Sequence, residues 1–292
     1  MNEEQLNKKE KNIILREGII KFDPLSAKLL PISANRKRKK GWEVYRVYQD
    51  KIVKIKAFES LNGYDFVTLF QLIDDYIQNN EEWQVENEKS KFIKRRLNLK
   101  DLCKQRGILT KKANRKTIAK SIERWYEAKI LYTSKKKMEA QKEERKKYPV
   151  FKTRYIFEFG YDENFEEAEI TANRDFIEFC IRAGMAMNWK RLVNYGKNYY
   201  AIQLDIYLQF SSILYNKKYK KYKYPDIVKE KTLFLLLGVN EDVKELRHKR
   251  EKVKQAFKAF EKETGKKYIY DKKERKWIKE SYLKYLQKKS KI

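Results

Sequence analysis

Three observations predict an α+β fold, mainly α and divided into two domains. The 292 residues exceed what one hydrophobic core usually organises. Only 9 Gly and 4 Pro favour helices on short connections over a sandwich or barrel. Short amphipathic helices crowded with Lys and Arg also run straight into β-rich segments. The clearest case is Asn240 to Thr264 leading into Lys266-Lys267-Tyr268-Ile269-Tyr270. A hydrophobic content of 41%, with 14% aromatic, suffices for packed cores that a disordered chain would lack.

The chain carries 70 basic and 41 acidic residues, a formal net charge of +29. Charge of that size needs neutralising, and phosphate is its commonest partner. The competing explanation is Lys-rich usage from an AT-rich genome, which would normally raise Glu along with Lys. Cys103 and Cys180 lie far apart, and with His248 the only histidine they complete no zinc site of usual spacing. The expectation is two reduced core cysteines, no metal and no cofactor, in a cytoplasmic protein. Met-Asn-Glu-Glu-Gln lacks signal-peptide charge order, and the apolar run Leu233 to Leu237 is too short to cross a bilayer, so no membrane partner is expected.

Residues 1–41 read as a basic, loosely ordered arm around one apolar segment, Leu29 to Ile32, ending in Asn35-Arg36-Lys37-Arg38-Lys39-Lys40. Such an arm either reaches a DNA groove or is a solvated tail. Trp42 to Phe58 shows strand chemistry, with a hairpin turn at Gln49-Asp50-Lys51. Asn62 then caps a helix whose Phe66, Leu69, Phe70, Ile73 and Ile77 form one buried stripe. After a charged insert, 81–90, a short helix Leu99 to Arg106 is capped by Asn98 and stopped at Gly107. The next, about Ala113 to Ala128, buries Ile118, Ile122 and Trp125. At about 100° per residue, Lys116 and Lys120 fall on its opposite face. Ile130-Leu131-Tyr132 is expected to start a hairpin, with Lys135 to Lys147 at its tip and Phe151 to Phe159 returning.

The second half follows the same grammar without the same sequence. A strand at Glu169-Ile170-Thr171 leads into a helix with Phe176, Phe179, Cys180 and Ile181, and Tyr200 to Leu214 reads as a largely buried helix. Pro225 opens Asp226 to Leu237, ended by Gly238. The long helix from Asn240 buries Val243, Leu246, Val253, Phe257 and Phe260, and shows Lys244, Arg247, His248, Lys252 and Lys254 to solvent. A hairpin pairing Tyr268-Ile269-Tyr270 with Lys276-Trp277-Ile278 follows.

Helix, short helix, basic helix, hairpin is the order a winged helix needs, with the third helix in the major groove and the hairpin against the neighbouring backbone. Its occurrence twice predicts tandem winged-helix domains, 42–162 and 163–292, with β-hairpin wings behind the basic arm, bound to double-stranded DNA. Arginine suits bidentate guanine recognition, so Arg115 and Arg247 are the expected base contacts. Lys112, Lys116, Lys120, Lys244 and Lys254 are expected at phosphates. His248 either contacts a phosphate or a base edge or is an ordinary surface histidine. Lys220 and Lys221, within the alternating Tyr215 to Tyr224 run, either touch DNA nonspecifically or extend the preceding helix into solvent.

Leu61-Asn62-Gly63-Tyr64-Asp65, a strand ending in Leu-x-x-Tyr-Asp before an apolar helix, resembles the opening of the plasmid replication initiator (Rep) proteins with tandem winged helices. Further similarities follow in order: Lys116 to Ile130, the strand Ala168 to Thr171 before Asn173, and Ala201-Ile202-Gln203-Leu204-Asp205-Ile206-Tyr207. The resemblance spans roughly residues 42–280. It implies binding to repeated origin sequences (iterons) and recruitment of host replication proteins, the helicase or its loader, without enzymatic activity. It also implies a homodimer that represses its own gene. The long charged 135–147 segment and the Tyr/Lys run depart from the family pattern. A winged-helix transcriptional regulator is the alternative.

Enzymatic rivals find little support. One histidine cannot supply the metal-holding cluster that rolling-circle initiators place beside a nucleophilic tyrosine. No Gly-x-x-x-x-Gly-Lys-Ser/Thr precedes Lys197 or Lys266. Asp74-Asp75 and Glu166-Glu167 are candidate magnesium ligands for a primase or nuclease, but adjacent helical residues diverge, and a role in solubility is expected for Asp74 and Asp75. Trp125 and Trp277, at core spacing, are expected in the interior rather than stacked on bases.

Overall fold

The computed structural model describes residues 19–22, 40–48, 51–85, 90–134, 151–153, 155–182, 185–211, 215–216, 221–222, 224–236 and 243–289. Strands β1 (Ile19–Phe22), β2 (Lys40–Tyr48) and β3 (Lys51–Glu59) precede the helix α1 (Gly63–Gln78). Asn62 Oδ1 accepts from the amides of Tyr64 at 3.0 Å and Asp65 at 3.3 Å, and the Asp65 carboxylate accepts from the Asn62 amide at 2.8 Å. This reciprocal box satisfies the amides left open at a helix start.

The single apolar stripe predicted for α1 is only part of its buried surface. Asp65, Thr68, Gln71, Leu72, Asp74 and Asp75 are buried along with Phe66, Leu69, Phe70 and Ile73, while Ile77 is half-buried. A helix enclosed on every side must satisfy its polar groups inside the protein. Asp65 accepts from Ser121 Oγ at 2.8 Å and Arg124 Nε at 2.9 Å. Gln71 donates to the Leu102 carbonyl at 2.9 Å and accepts from the buried Arg106 at 2.6 Å. Asp75 accepts from Trp83 Nε1 and Arg95 Nε, both at 3.0 Å, and Asp74 accepts from Trp189 Nε1 at 2.9 Å. Asp74 and Asp75 are therefore interior hydrogen-bond hubs and not solubilising surface acids.

The chain continues through β4 (Gln84–Val85), β5 (Phe92–Asn98), α2 (Leu99–Gln105), α3 (Lys112–Glu127), β6 (Lys129–Ser134), β7 (Phe151–Thr153), β8 (Ile156–Tyr161) and β9 (Glu167–Asn173). Asn98 caps α2, accepting from the Lys100 and Asp101 amides, and Gly107 leaves it at φ +63°, where a side chain would be strained. Ile118, Ile122 and Trp125 of α3 are fully buried, and Trp125 donates to the Asp65 carbonyl at 2.7 Å. Two antiparallel sheets form, β2-β3-β6-β7 and β4-β5-β9-β8.

The hairpin predicted over 130–159 is divided between these sheets. β6 pairs with β3 and β7, whereas β8 pairs with β9. The break falls where Tyr155 and Ile156 enter the core, both fully buried. The hairpin beside α3 is thus β8–β9, turning at 162–166, and Lys135 to Lys147 lies outside the described residues. β9 also pairs with β5 along Phe92–Asn98, so the domain boundary expected at 162/163 runs through one sheet.

The second half comprises α4 (Arg174–Arg182), β10 (Met185–Asn188), α5 (Trp189–Asn194), α6 (Tyr199–Ser211), β11 (Tyr215–Asn216), β12 (Lys221–Tyr222), β13 (Ile227–Lys229), α7 (Glu230–Leu236), α8 (Val243–Thr264), β14 (Tyr268–Asp271), β15 (Lys276–Lys279) and α9 (Glu280–Lys289). β1, inside the segment read as a loose arm, pairs antiparallel with β10 and packs on α1 and α4. Leu29 to Ile32 and Gln49-Asp50 are outside the described residues. After Pro225 the chain forms the strand β13 before α7, an element the sequence had not shown as separate.

One arrangement therefore occurs twice. The series α1, β5, α2, α3, β8, β9 matches α6, β13, α7, α8, β14, β15, and the third strand is central in both sheets (β5-β9-β8 and β13-β15-β14). In the first unit β6 and β7 are inserted between α3 and β8. The units meet at α1, which packs on α5 and α6, and α6 in turn packs on α8. A Cβ at Gly63 would come within 2.9 Å of Ile202 Cγ2, so the α1–α6 approach requires glycine there. Gly63→Ala is predicted to lower stability in urea unfolding by roughly 1–3 kcal/mol through overpacking. In a double-mutant cycle with Ile202→Ala it should show coupling above roughly 0.5 kcal/mol; simple additivity would contradict the close approach.

Candidate nucleic-acid interface

In the first unit the β8–β9 turn is organised by one acid. Asp162 accepts from the backbone amides of Glu167, Glu166 and Asn164 at 2.7–2.9 Å, and those bonds hold its carboxyl below the usual range. The fold of the turn puts Phe165 at φ +53°, stacked on Tyr161 with ring centroids 4.9 Å apart. Arg115 fastens this turn to α3. Its Nε donates to the Phe165 carbonyl at 2.8 Å, Nη2 to Asn164 O at 3.1 Å and Nη1 to Thr110 O.

Arg115 is 9% exposed with its guanidinium committed to three carbonyls, so the base contact expected of it is replaced by a structural role. The lysines around it lie differently. Lys112 and Lys116 are exposed; Lys112 Nζ lies 3.2 Å from Asn164 Oδ1, and Lys116 Nζ sits over the Phe165 ring at 5.7 Å. Lys120 is half-buried, paired with Glu123 at 2.6 Å and 5.7 Å from the Tyr161 ring centroid. Lys112, Lys116 and Lys120, spaced by four, thus form one stripe along the side of α3 that faces the hairpin.

The second unit joins its long helix to its hairpin through a buried acid. Glu230, 2% exposed at the start of α7, accepts from Arg250 of α8 at 2.8 and 3.0 Å and from Arg275 at 2.9 and 3.1 Å, and also from Tyr270. Burial pushes this carboxyl up, but the bonds from Arg250, Tyr270 and Arg275 outweigh it and hold the carboxyl below its ordinary value. Arg275 closes the hairpin turn at φ +48° and accepts the Glu230 amide on its carbonyl at 3.0 Å. Behind the tie, Phe257 stacks on Trp277 at 4.2 Å.

On the outside of α8, Arg247 and His248 are exposed. Lys254 is half-buried and paired with Glu251, and Lys252 lies over the Tyr200 ring at 5.6 Å. The Lys244 side chain and Lys220 lie outside the described residues. Lys221 is described by its backbone alone, opposite Asn216 in the β11–β12 pair. Lys111, before α3, and Lys272 and Lys273, in the β14–β15 turn, are exposed cations at the same ends of the two units, and sequence reasoning missed them. Their signal was position in a short turn beside the helix rather than any motif.

Trp125 and Trp277 are interior, as their spacing predicted. Cys103 is buried with a free thiol, and the Cys180 side chain is outside the described residues. Among the described residues no three His, Cys, Asp or Glu gather as a metal site, and no helix is long and apolar enough to cross a membrane.

No protein-family model and no curated protein matches the chain. Solved structures similar to it include two of RctB. One, of selenomethionine derivatives of domains 2 and 3 of RctB, shares 13% identity and a TM-score of 0.57, over 88% of this chain and 95% of that one. The other, RctB domains 2-3, shares 12% identity and a TM-score of 0.51, over 88% and 98%. At these identities the likeness is one of fold: α+β, with nine helices among the described residues and small antiparallel sheets.

Two predictions distinguish scaffold from contact. Arg115→Ala should cost about 2–3 kcal/mol in thermal unfolding by leaving turn carbonyls unpaired. Lys116→Ala should stay within about 0.5 kcal/mol of the parent; equal losses would contradict the assignment. Glu230, held below its ordinary value, contributes stability that is fully present above the unfolded carboxylate pKa of about 4.3. That contribution is lost as pH falls through the folded value. The stability gap between parent and Glu230→Gln should therefore be constant near neutrality and close in acid; a gap that widens in acid would contradict the tie.

Proposed function

We propose that the protein is a non-enzymatic, sequence-specific double-stranded DNA-binding replication initiator whose two units are winged helices. One observation carries this reading: the same helix–strand–helix–helix–strand–strand arrangement occurs twice, each time with a long helix locked by arginine to its own hairpin and exposing cations beside it. In a winged helix the third helix enters the major groove while the hairpin meets the backbone. α3 and α8 take that role here. Arg247 would read a base edge, with His248 beside it. Lys111, Lys112, Lys116, Lys272 and Lys273 would meet phosphates, and Lys120 and Lys254 would do so on exchanging a carboxylate partner for phosphate.

The initiator reading goes further than DNA binding. It is supported by the Rep-like order of segments from Leu61-Asn62-Gly63-Tyr64-Asp65 to Ala201–Tyr207, by the tandem units, and by a net charge of +29. Fold likeness to RctB domains 2 and 3 over 88% of the chain supports an initiator-like fold and does not bear on the Rep-like order. On this reading the protein is cytoplasmic, binds iterons at a plasmid origin, and recruits the host helicase or its loader. A homodimer would repress its own gene. The same surface would also serve a transcriptional regulator.

Footprinting on DNA flanking the gene separates the two. Several evenly spaced direct repeats are expected for an initiator; protection of one inverted repeat would make the protein a regulator, and no protection would remove sequence-specific binding altogether. Arg247→Ala should relax preference at one or two base pairs by about 1–3 kcal/mol each. Lys116→Ala should weaken all sequences alike and reduce the salt slope by about one. Indistinguishable variants would contradict the division into base and phosphate contacts.

A further inference from the structure

The side chains of α3 best shaped to hydrogen-bond a base edge are turned inward. Arg115 is held by three carbonyls. Arg124, its side chain 11% exposed, pairs with the buried Asp65 at 2.9 Å. Asn114 commits its amide nitrogen to the Leu109 carbonyl at 2.8 Å. The helix therefore offers no free arginine to guanine and no free amide group to adenine, whereas α8 exposes Arg247. Its lysines do not fill the gap, because Lys112, Lys116 and Lys120 lean toward Asn164, Phe165 and Tyr161 of the hairpin, the side on which a backbone would run.

Beside that lysine row, the first two turns of α3 present methyl groups. Ala113 and Thr117, at i and i+4, are both exposed and lie about 100° round the helix from Lys112 and Lys116. Thr117 Oγ1 donates to the Ala113 carbonyl at 2.8 Å, which spends its proton and leaves the γ-methyl free for contact. Leu109, just before the helix, is 66% exposed, more than any other large apolar side chain among the described residues. Its backbone is nevertheless fixed. Asn114 holds its carbonyl, Arg115 holds that of Thr110, and Gly107 turns the chain at φ +63°.

Charge and chemistry together select what meets this surface. Lys111, Lys112 and Lys116 border it, no acid stands in the first turn of α3, and Glu123 and Glu127 lie half-buried in the second half of the helix. Such a surface suits a polyanion that carries apolar groups between its charges. In the major groove of a duplex the one apolar group on a base edge is the 5-methyl of thymine, which Ala and Thr methyls contact. The start of a recognition helix is also the part that reaches base edges.

We propose that Ala113 and Thr117, flanked by Leu109, read thymine 5-methyl groups, so that the first unit selects A·T pairs while Arg247 of the second selects guanine. This rests on the DNA-binding reading above and adds to it the kind of base each unit recognises.

The test titrates the full chain against a duplex that it selects from a random-sequence library. The same duplex is then made with deoxyuridine replacing each thymidine in turn, which removes one methyl and leaves every hydrogen-bonding group. The parent should lose about fourfold in affinity at one or two thymidines. Thr117→Ser keeps the hydroxyl that bonds the Ala113 carbonyl. It should bind the thymidine duplex about fourfold less tightly and become indifferent to deoxyuridine at one of those positions. Leu109→Ser should likewise weaken the thymidine duplex more than the fully substituted one. A parent indifferent to deoxyuridine everywhere, a selected sequence without A·T preference, or an unchanged deoxyuridine penalty in both variants would overturn the proposal while leaving duplex binding intact. Selection of no duplex at all would instead remove the DNA-binding reading on which it rests.

Discussion

Everything in this molecule is arranged around the enclosure of α1. A sixteen-residue helix has little chance of isolation from water unless neighbours cover all its sides, and here α2, α3, α5 and α6 do so. The polar residues on it become the joints. Asp65 holds α3 through Ser121 and Arg124, Gln71 holds α2 through Leu102 and Arg106, and Asp74 holds α5 through Trp189. Burial pushes the Asp74 carboxyl up, so this joint opposes its own ionisation, yet the bonds from Gln78 and Trp189 favour the charged form. Removing one partner from such a joint costs far more than the bond itself contributes.

Each unit then solves one further problem in its own chemistry: fixing a long basic helix to a hairpin. The first unit uses Arg115 against the carbonyls of a turn that Asp162 has shaped. The second uses Arg250 and Arg275 on the shared carboxylate of Glu230. Both solutions commit arginine to the scaffold, buried in the first unit and partly exposed in the second, so that neighbouring lysines, and in α8 Arg247 and His248, are presented on a fixed frame. Preorganised cations lose less entropy on meeting a phosphate backbone than cations on independent elements would.

Much of this was legible from spacing alone. Helices with caps were read nearly to their ends, because Asn62, Asn98 and Gly107 act locally. The second hairpin was legible for the same reason, as its strands are joined by a short turn. The first hairpin was not: β6 and β7 resemble its arms in sequence, and only long-range pairing with β3 or with β9 tells them apart. Arg115 was misplaced although its phase was visible, since 115, 118, 122 and 125 fall on one side of α3. Charge alone drew it outward. Asp74 and Asp75 were read as surface acids because the 74–75 segment alone does not show their partners: Asp74 meets Trp189 of α5, 115 residues further along, and Asp75 meets Trp83 and Arg95.

On the proposed reading α3 and α8, joined through α1 and α6, engage one duplex together. Amide hydrogen exchange of the full chain, with and without a duplex carrying one origin repeat, tests it most directly. Slowed exchange is predicted at both 112–120 and 247–258 at the same DNA occupancy, with α1 the slowest-exchanging segment throughout. Protection of one helix while the other keeps its free rate would contradict the shared grip.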